Sequence, residues 1–268
     1  MKKFRYTKLF ISFSTIISFY VLSSCEDIKS DESDSSKEVS EKISWEESIK
    51  RKVEAALKIN ASENYDLQIR KEYIDRDTLQ DAVILVNRES HAMEMAKKEN
   101  RMNFFEKLGF TGPHNHVLVY LGGNNQVLLT TPVGSSVKHP LEVHFESITN
   151  PSLKDFYVDY RIRNSIQRNY YTVRDQKIYL TLSCPVLDSV GFEKPRVYDI
   201  QHKESSVRLS KDIVLYEGKI PGYNPSEIAD INSYSPKEIL PTDQLVVFFI
   251  FDDKTMTYKT PMIRKTPD

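Results

Sequence analysis

From Ser44 onward, apolar residues recur in two rhythms. Ile43, Ile49, Val53, Ala56 and Leu57 fall at helical spacing among Glu, Lys and Arg. Ser44 followed three residues later by Glu47 has the form of a capping box. Together they predict an amphipathic helix over residues 45–59, lying over the edge of the folded body. A second stripe, Ala92, Met95, Met102, Phe105 and Leu108, predicts one inserted helix over residues 90–108, its methionines packed in the core. Elsewhere the pattern is that of strands. Ala82-Val-Ile-Leu-Val86 is apolar throughout between polar turns and suits a strand buried on both faces. Phe156, Val158, Tyr160 and Ile162 alternate with Tyr157, Asp159, Arg161 and Arg163, as a half-buried strand does. Gly122-Gly-Asn-Asn125, Asp175-Gln-Lys177 and Asp252-Asp-Lys254 each separate two strand-like runs and predict three hairpins. Further short runs at 141–145, 196–200 and 213–216 continue the series. The expected class is α+β and β-dominated, with antiparallel sheets forming a sandwich or partial barrel, an N-terminal amphipathic helix and one inserted helix.

Between Gly218 and Thr242 the rhythm stops. Four of the twelve prolines fall there, Pro221, Pro225, Pro236 and Pro241. Asn224-Pro225 and Ser235-Pro236 each set a capping residue before a proline, which predicts two single-turn helices. Long irregular segments inside compact domains serve as binding loops or cover a sheet edge, and this one carries Tyr223 and Tyr234.

The first 42 residues have a different character. A basic start, Met1 to Lys8, precedes an uncharged run from Leu9 to Leu22 and then Leu22-Ser-Ser-Cys25. This order is that of a secretory signal peptide, and the apolar run is shorter than the roughly 20 residues that span a bilayer core. The Leu-Ser-Ser-Cys ending resembles the bacterial lipobox. That resemblance implies removal of residues 1–24, lipidation of Cys25 and a membrane as partner through the lipid. Several acyl chains on one residue make anchoring stable where one would not. Residues 25–42 then form an acidic tether almost devoid of apolar side chains, expected to be disordered. Within it, Lys29-Ser-Asp-Glu32 resembles the short acidic signals that send lipoproteins of the Bacteroidota to the cell surface. The expected placement is the bacterial outer membrane, on its periplasmic or outer face. Residues 43–268 are expected to be a single β-rich globular domain.

Lipidation of Cys25 leaves Cys184 as the one other thiol, so no internal disulfide is expected. Loss of Lys2, Lys3, Arg5 and Lys8 with the leader takes the net charge from −1 to −5, and −4 of that lies in residues 26–42. The nearly neutral remainder lacks the concentrated basic face that nucleic acid requires.

One stretch has the spacing of a metal turn. In Tyr73-Ile-Asp75-Arg-Asp77-Thr-Leu-Gln-Asp81, closely spaced carboxylates run into the apolar 82–86 strand. This resembles the calcium loop of integrin-alpha-type FG-GAP (VCBS-like) repeats, with Asp75, Asp77 and Asp81 in the later acidic places. The resemblance implies calcium, which takes six to eight oxygens; no other cofactor is expected. Tyr73 stands where the first acid belongs, and Thr78 where a turn glycine belongs. With no second copy evident, a closed repeat propeller is not expected. The whole resembles a Bacteroidota-type lipoprotein bearing one worn motif of this kind.

Other candidates are looser. His114 and His116 would share one side of a strand, and a zinc site would need His91, His139 or His144 beside them. Arg161, Arg163, Arg168 and Arg174, interleaved with Tyr157, Tyr170 and Tyr171, predict either a basic aromatic surface for an anionic glycan or acidic partner, or a solvated face of cross-strand ion pairs. Cys184 reads as a small buried residue. No G-x-S-x-G, H-E-x-x-H or phosphate-cradling glycine loop occurs, and only eight glycines are present. The expected function is a lipid-anchored envelope protein with a non-catalytic binding or scaffolding role toward a glycan or protein. The alternative is a surface hydrolase using carboxylates from distant strands.

Overall fold

The computed structural model describes residues 43–261. The leader, Cys25 and the acidic tether lie outside the described residues. Ser44 Oγ accepts the Glu47 N–H at 3.1 Å and starts helix α1 (Trp45–Leu57), which Lys58 closes in the left-handed conformation. The first sheet is an antiparallel meander in chain order: β1 (Asp66–Glu72), β2 (Asp81–Asn87), β3 (Asn115–Leu121) and β4 (Gln126–Leu129). Ile49 and Val53 of α1 pack on one of its faces with Ala82, Ile84, Val86 and Leu118. The helix therefore covers a sheet face, not an edge. Val83, Leu85, Val117 and Val119 point the other way into the main core. Central strand β2 is thus covered on both sides, which its unbroken apolar run requires.

The inserted segment is two helices, α2 (Glu89–Lys98) and α3 (Met102–Leu108), where one was expected. Asn100 takes φ 54° and the Arg101 N–H reaches back to the Ala96 carbonyl at 2.7 Å. That is a helix-ending Schellman geometry, and asparagine tolerates its left-handed step.

The second sheet has eight strands: β5 (Glu142–Glu146), β6 (Asp155–Ile162), β7 (Ser165–Arg174), β8 (Lys177–Asp188), β9 (Arg196–Lys203), β10 (Asp212–Lys219), β11 (Leu240–Asp252) and β12 (Thr257–Lys259). It divides into two more four-strand meanders, because β8 and β9 pair only at Leu187–Val197 and Asp188–Arg196. The β5–β8 half packs Phe156, Val158, Tyr171 and Val173 against the first sheet. Its opposite face packs Tyr170, Leu182 and Cys184 against Ile213, Leu215 and Phe251 of the β9–β12 half. Among the described residues, the fold is β-dominated, built of two antiparallel sheets with three α-helices, and it is not a closed barrel.

Two expectations for the irregular segment change. Strand β11 begins at Leu240, earlier than expected, with Pro241 opposite Gly218. Only Asn224-Pro225 forms a single-turn helix, Pro225–Glu227, with Asn224 Oδ1 accepting the Ser226 N–H at 3.1 Å. Ser235 does not cap a turn; its Oγ accepts from Arg161. Among the described residues, no helix is long and apolar enough to cross a membrane.

Candidate functional site

The turn from β1 to β2 is organised by its last acid. Asp81 is fully buried. Its Oδ2 accepts the backbone N–H groups of Ile74 at 2.8 Å and Asp75 at 3.2 Å, and its Oδ1 accepts that of Gly122 at 2.9 Å. Asp75 Oδ1 accepts the Asp77 N–H at 2.9 Å, and Asp77 Oδ1 accepts the Leu79 N–H at 2.8 Å, so two overlapping Asx turns carry the chain around. The glycine missing from the turn itself is supplied across from it. A Cβ on Gly123 would sit 2.1 Å from Asp77 Oδ2, and one on Gly122 would sit 2.5 Å from the Gln80 carbonyl. The β3–β4 hairpin can approach this closely only because both residues lack side chains.

Asp75, Asp77 and Asp81 each present an oxygen within 4.8 Å of the others, and the group can hold a metal ion. Its donor set is uneven. Asp81 already serves three N–H groups, while Asp75 and Asp77 each keep one oxygen outside the turn's hydrogen bonds. Burial, together with the charges of Asp81 and Asp77, holds the Asp75 carboxyl above the usual carboxylate range, against the hydrogen bond from Asp77. A cation there would relieve that repulsion. Three carboxylates alone do not complete the six to eight oxygens of calcium, so bidentate contacts or water would supply the remainder. The turn faces a cavity of about 440 Å³ that Arg174, Asp175 and Gln176 of the β7–β8 hairpin also line.

A second turn repeats the design. Between β5 and β6, buried Asp155 receives on Oδ2 the N–H groups of Ile148 at 2.8 Å and Thr149 at 2.5 Å. These donors stand seven and six residues before the aspartate, as Ile74 and Asp75 stand before Asp81. The shared signature is Ile, then Ser or Thr four positions on, then Leu, one residue and Asp: Ile74-Thr78-Leu79-Asp81 and Ile148-Ser152-Leu153-Asp155. The second copy is not evident in the sequence because it lacks the interior acids. Thr149 takes the place of Asp75 and Pro151 that of Asp77. Thr149 Oγ1 donates to Asp155 Oδ1 at 2.8 Å and accepts from Arg174, whose guanidinium lies 3.9 Å from Asp155.

The tyrosines and arginines separate into different settings. Tyr223 and Tyr234 meet edge to face at 5.9 Å on the irregular segment, both half-buried, with Tyr234 packed on Leu187, Val190 and Val197 and Tyr223 Oη accepting the Gly191 N–H at 2.8 Å. Arg161 reaches the segment from β6, donating to the Tyr234 carbonyl and to Ser235 Oγ. Arg163 is apart, exposed in the β6–β7 turn at φ 53°. Arg168 is fastened bidentately to Asp159 at 2.7 Å and 2.7 Å, its guanidinium 4.1 Å from the Tyr157 ring centre. Arg174 belongs to the Asp155 turn. The four arginines therefore do not form one continuous basic face.

Between the two halves of the large sheet runs a polar chain that periodicity did not reveal. Tyr170 Oη lies 2.9 Å from His202 Nε2, His202 Nδ1 lies 2.7 Å from Glu146 Oε2, and Lys211 donates to Glu146 Oε1 at 3.0 Å. Burial, opposed by Glu146, holds the His202 imidazole below its ordinary pKa. Burial also pushes the Cys184 thiol up to about 12, which removes it as a nucleophile at neutral pH.

The histidines are dispersed. His114 falls just before β3 and packs on His91 at 5.6 Å, His116 lies within β3, and His144 stacks on Tyr157 at 4.9 Å. Among the described residues, the aspartate turn is the one group of three or more His, Cys, Asp or Glu arranged to take a metal.

Fold and site together define a β-rich body of stacked antiparallel meanders, with twin aspartate-closed turns and a tyrosine-bearing segment over a buried arginine. Set against known proteins, the chain matches no family model, no curated protein and no solved structure.

Proposed function

We propose that this protein is a lipid-anchored envelope protein of the bacterial outer membrane whose strand-built body binds a glycan or protein partner outside the cytoplasm and performs no chemistry of its own. The anchor rests on the leader and the Leu22-Ser-Ser-Cys25 ending. Lys29-Ser-Asp-Glu32 behind the cysteine supports display on the outer face.

One observation carries the binding role: the half-buried Tyr223–Tyr234 pair stands on a segment that Arg161 holds through the Tyr234 carbonyl. Paired aromatics with polar tips are common anchors of partner recognition. The acids a reaction would need are largely committed elsewhere. Asp81 and Asp155 hold turns, Asp159 holds Arg168, and Glu146 holds His202 and Lys211. Calcium at Asp75 and Asp77, with Asp81 behind them, belongs to the same proposal, as does the kinship with FG-GAP-type lipoproteins.

The test is incubation of the membrane-extracted full chain with glycan, peptide and ester substrates and, separately, with glycan and protein arrays. Retention of a partner without turnover is expected, and turnover of any substrate contradicts the proposal. The alternative, a surface hydrolase, is favoured by one observation. Asp75 and Asp77 stand side by side at an open cavity, as a pair of carboxylates for acid–base work would. Activity lost in both D75N and D77N would select it.

A further inference from the structure

We infer that Arg161 is the anchor of a built anion site that takes the carboxylate of an acidic sugar, a specification that rests on the binding role proposed above. Arg161 lies on β6 and is only 5% exposed. Its Nη2 donates to the Tyr234 carbonyl and to Ser235 Oγ at 3.2 Å, whereas its Nη1 is buried without a hydrogen-bond partner among the described residues.

Other enclosed arginines are treated differently. Arg88 has Glu63 at 2.6 Å, Arg168 has Asp159 at 2.7 Å and Arg174 has Asp155 at 3.9 Å. No such carboxylate pairs with Arg161 among the described residues. An enclosed guanidinium with neutral acceptors on one nitrogen and none on another is costly unless an anion completes it. A planar carboxylate is the shape a guanidinium fork matches best.

The cavity beside it is about 310 Å³, with His139, Tyr160, Ser235 and Ile239 in its wall. That is the small end of ligand pockets, sized for one ring. Imidazole and hydroxyl groups suit sugar hydroxyls, while Ile239 and Ile166, the cross-strand partner of Arg161, offer apolar contact. Glu142 and Asp159 also stand in the wall, and Asp230 acts on the Arg161 charge from nearby. Asp159 is neutralised by Arg168, but Glu142 has no cationic partner among the described residues. A second negative charge on the ligand would meet it, so a monocarboxylate is preferred over phosphate.

The experiment is guanidinium nitrogen NMR of the full chain in detergent micelles, titrated with glucuronate, glucose, acetate or phosphate. Glucuronate is expected to shift one buried guanidinium saturably. Glucose should produce no shift, and acetate and phosphate should bind at least about tenfold more weakly. R161K should abolish the response and R163K should retain it. E142Q, at an exposed position that should leave folding intact, is expected to bind glucuronate several-fold more tightly. A missing response, an equal response to acetate or phosphate, a response that survives R161K, or an unchanged affinity in E142Q would overturn the assignment. Loss of glucuronate binding with another partner still retained would leave the binding role standing; substrate turnover would remove that role instead.

Discussion

The turns closed by Asp81 and Asp155 have the same length, the same signature residues and the same pair of backbone donors, yet only the first carries interior acids. The difference separates two jobs that one motif combines in sequence. Closing the turn takes a single buried carboxylate, since the second turn closes with Thr149, Asn150 and Pro151 where the first has Asp75, Arg76 and Asp77. The second turn keeps an amide acceptor, with Asn150 Oδ1 taking the Ser152 N–H, so what is surplus to folding in the first is the negative charge of Asp75 and Asp77 rather than their acceptor oxygens, and surplus charge crowded together is what a cation can use.

The largest expected effect tests the shared part. Asp81→Ala and Asp155→Ala each orphan buried backbone N–H groups, and each should cost about 3–5 kcal/mol in urea unfolding. A cost under about 1 kcal/mol for either one, in calcium-free buffer, would break the equivalence of the two turns. Thr149→Val comes next. It removes the hydroxyl that links Asp155 to Arg174 and should cost about 1–3 kcal/mol, with no effect on any metal response.

Calcium should act on the first turn alone. At ten times its dissociation constant, about 1.4 kcal/mol of stabilisation is expected, seen as a rise in melting temperature. It should be absent in the double variant D75N/D77N and retained in Thr149→Val. The smallest effect is electrostatic. The folded pKa of Asp75 is raised, so the native state favours the protonated form. The penalty is absent below the unfolded value near 3.8 and fully present once pH exceeds the folded value. Asp75→Asn keeps the acceptor for the Asp77 N–H and drops the charge. It should gain up to about 1 kcal/mol at pH 7 without calcium, and the gain should vanish at pH 3.5. A loss of stability at pH 7 would show that the Asp75 charge is structural after all.

Much of the strand framework was legible because burial on one or both faces leaves a period-two or continuous apolar trace. Ala82 to Val86 is the clearest case, with α1 on one side and the main core on the other. What was illegible depends on partners far along the chain. Ser235 reads as a helix cap until Arg161, 74 residues earlier, claims its hydroxyl. The inserted helix breaks at Asn100, a residue whose left-handed tolerance does not disturb the apolar stripe around it. The second turn was hidden because acids are what draw attention to such a loop. Its real signal, Ile seven residues and Leu two residues before a buried aspartate, is apolar. At the candidate site, the aspartate trio was visible as spacing, and Tyr223, Tyr234 and Arg161 as residue types. That Arg161 alone of its cluster lies under the tyrosine segment was not visible, because alternation places Arg163 on the same face.

The anchored role is tested most directly by producing the full chain and a C25S version in a bacterium with an outer membrane, then washing the membranes at high salt and alkaline pH. The wild-type chain should remain with the membranes, carrying an acylated cysteine as its first residue by mass spectrometry, and C25S should be released. A C25S chain that stays behind, or a mature N-terminus mapping to any other residue, would contradict a lipid on Cys25 as the tie that holds this body to a membrane.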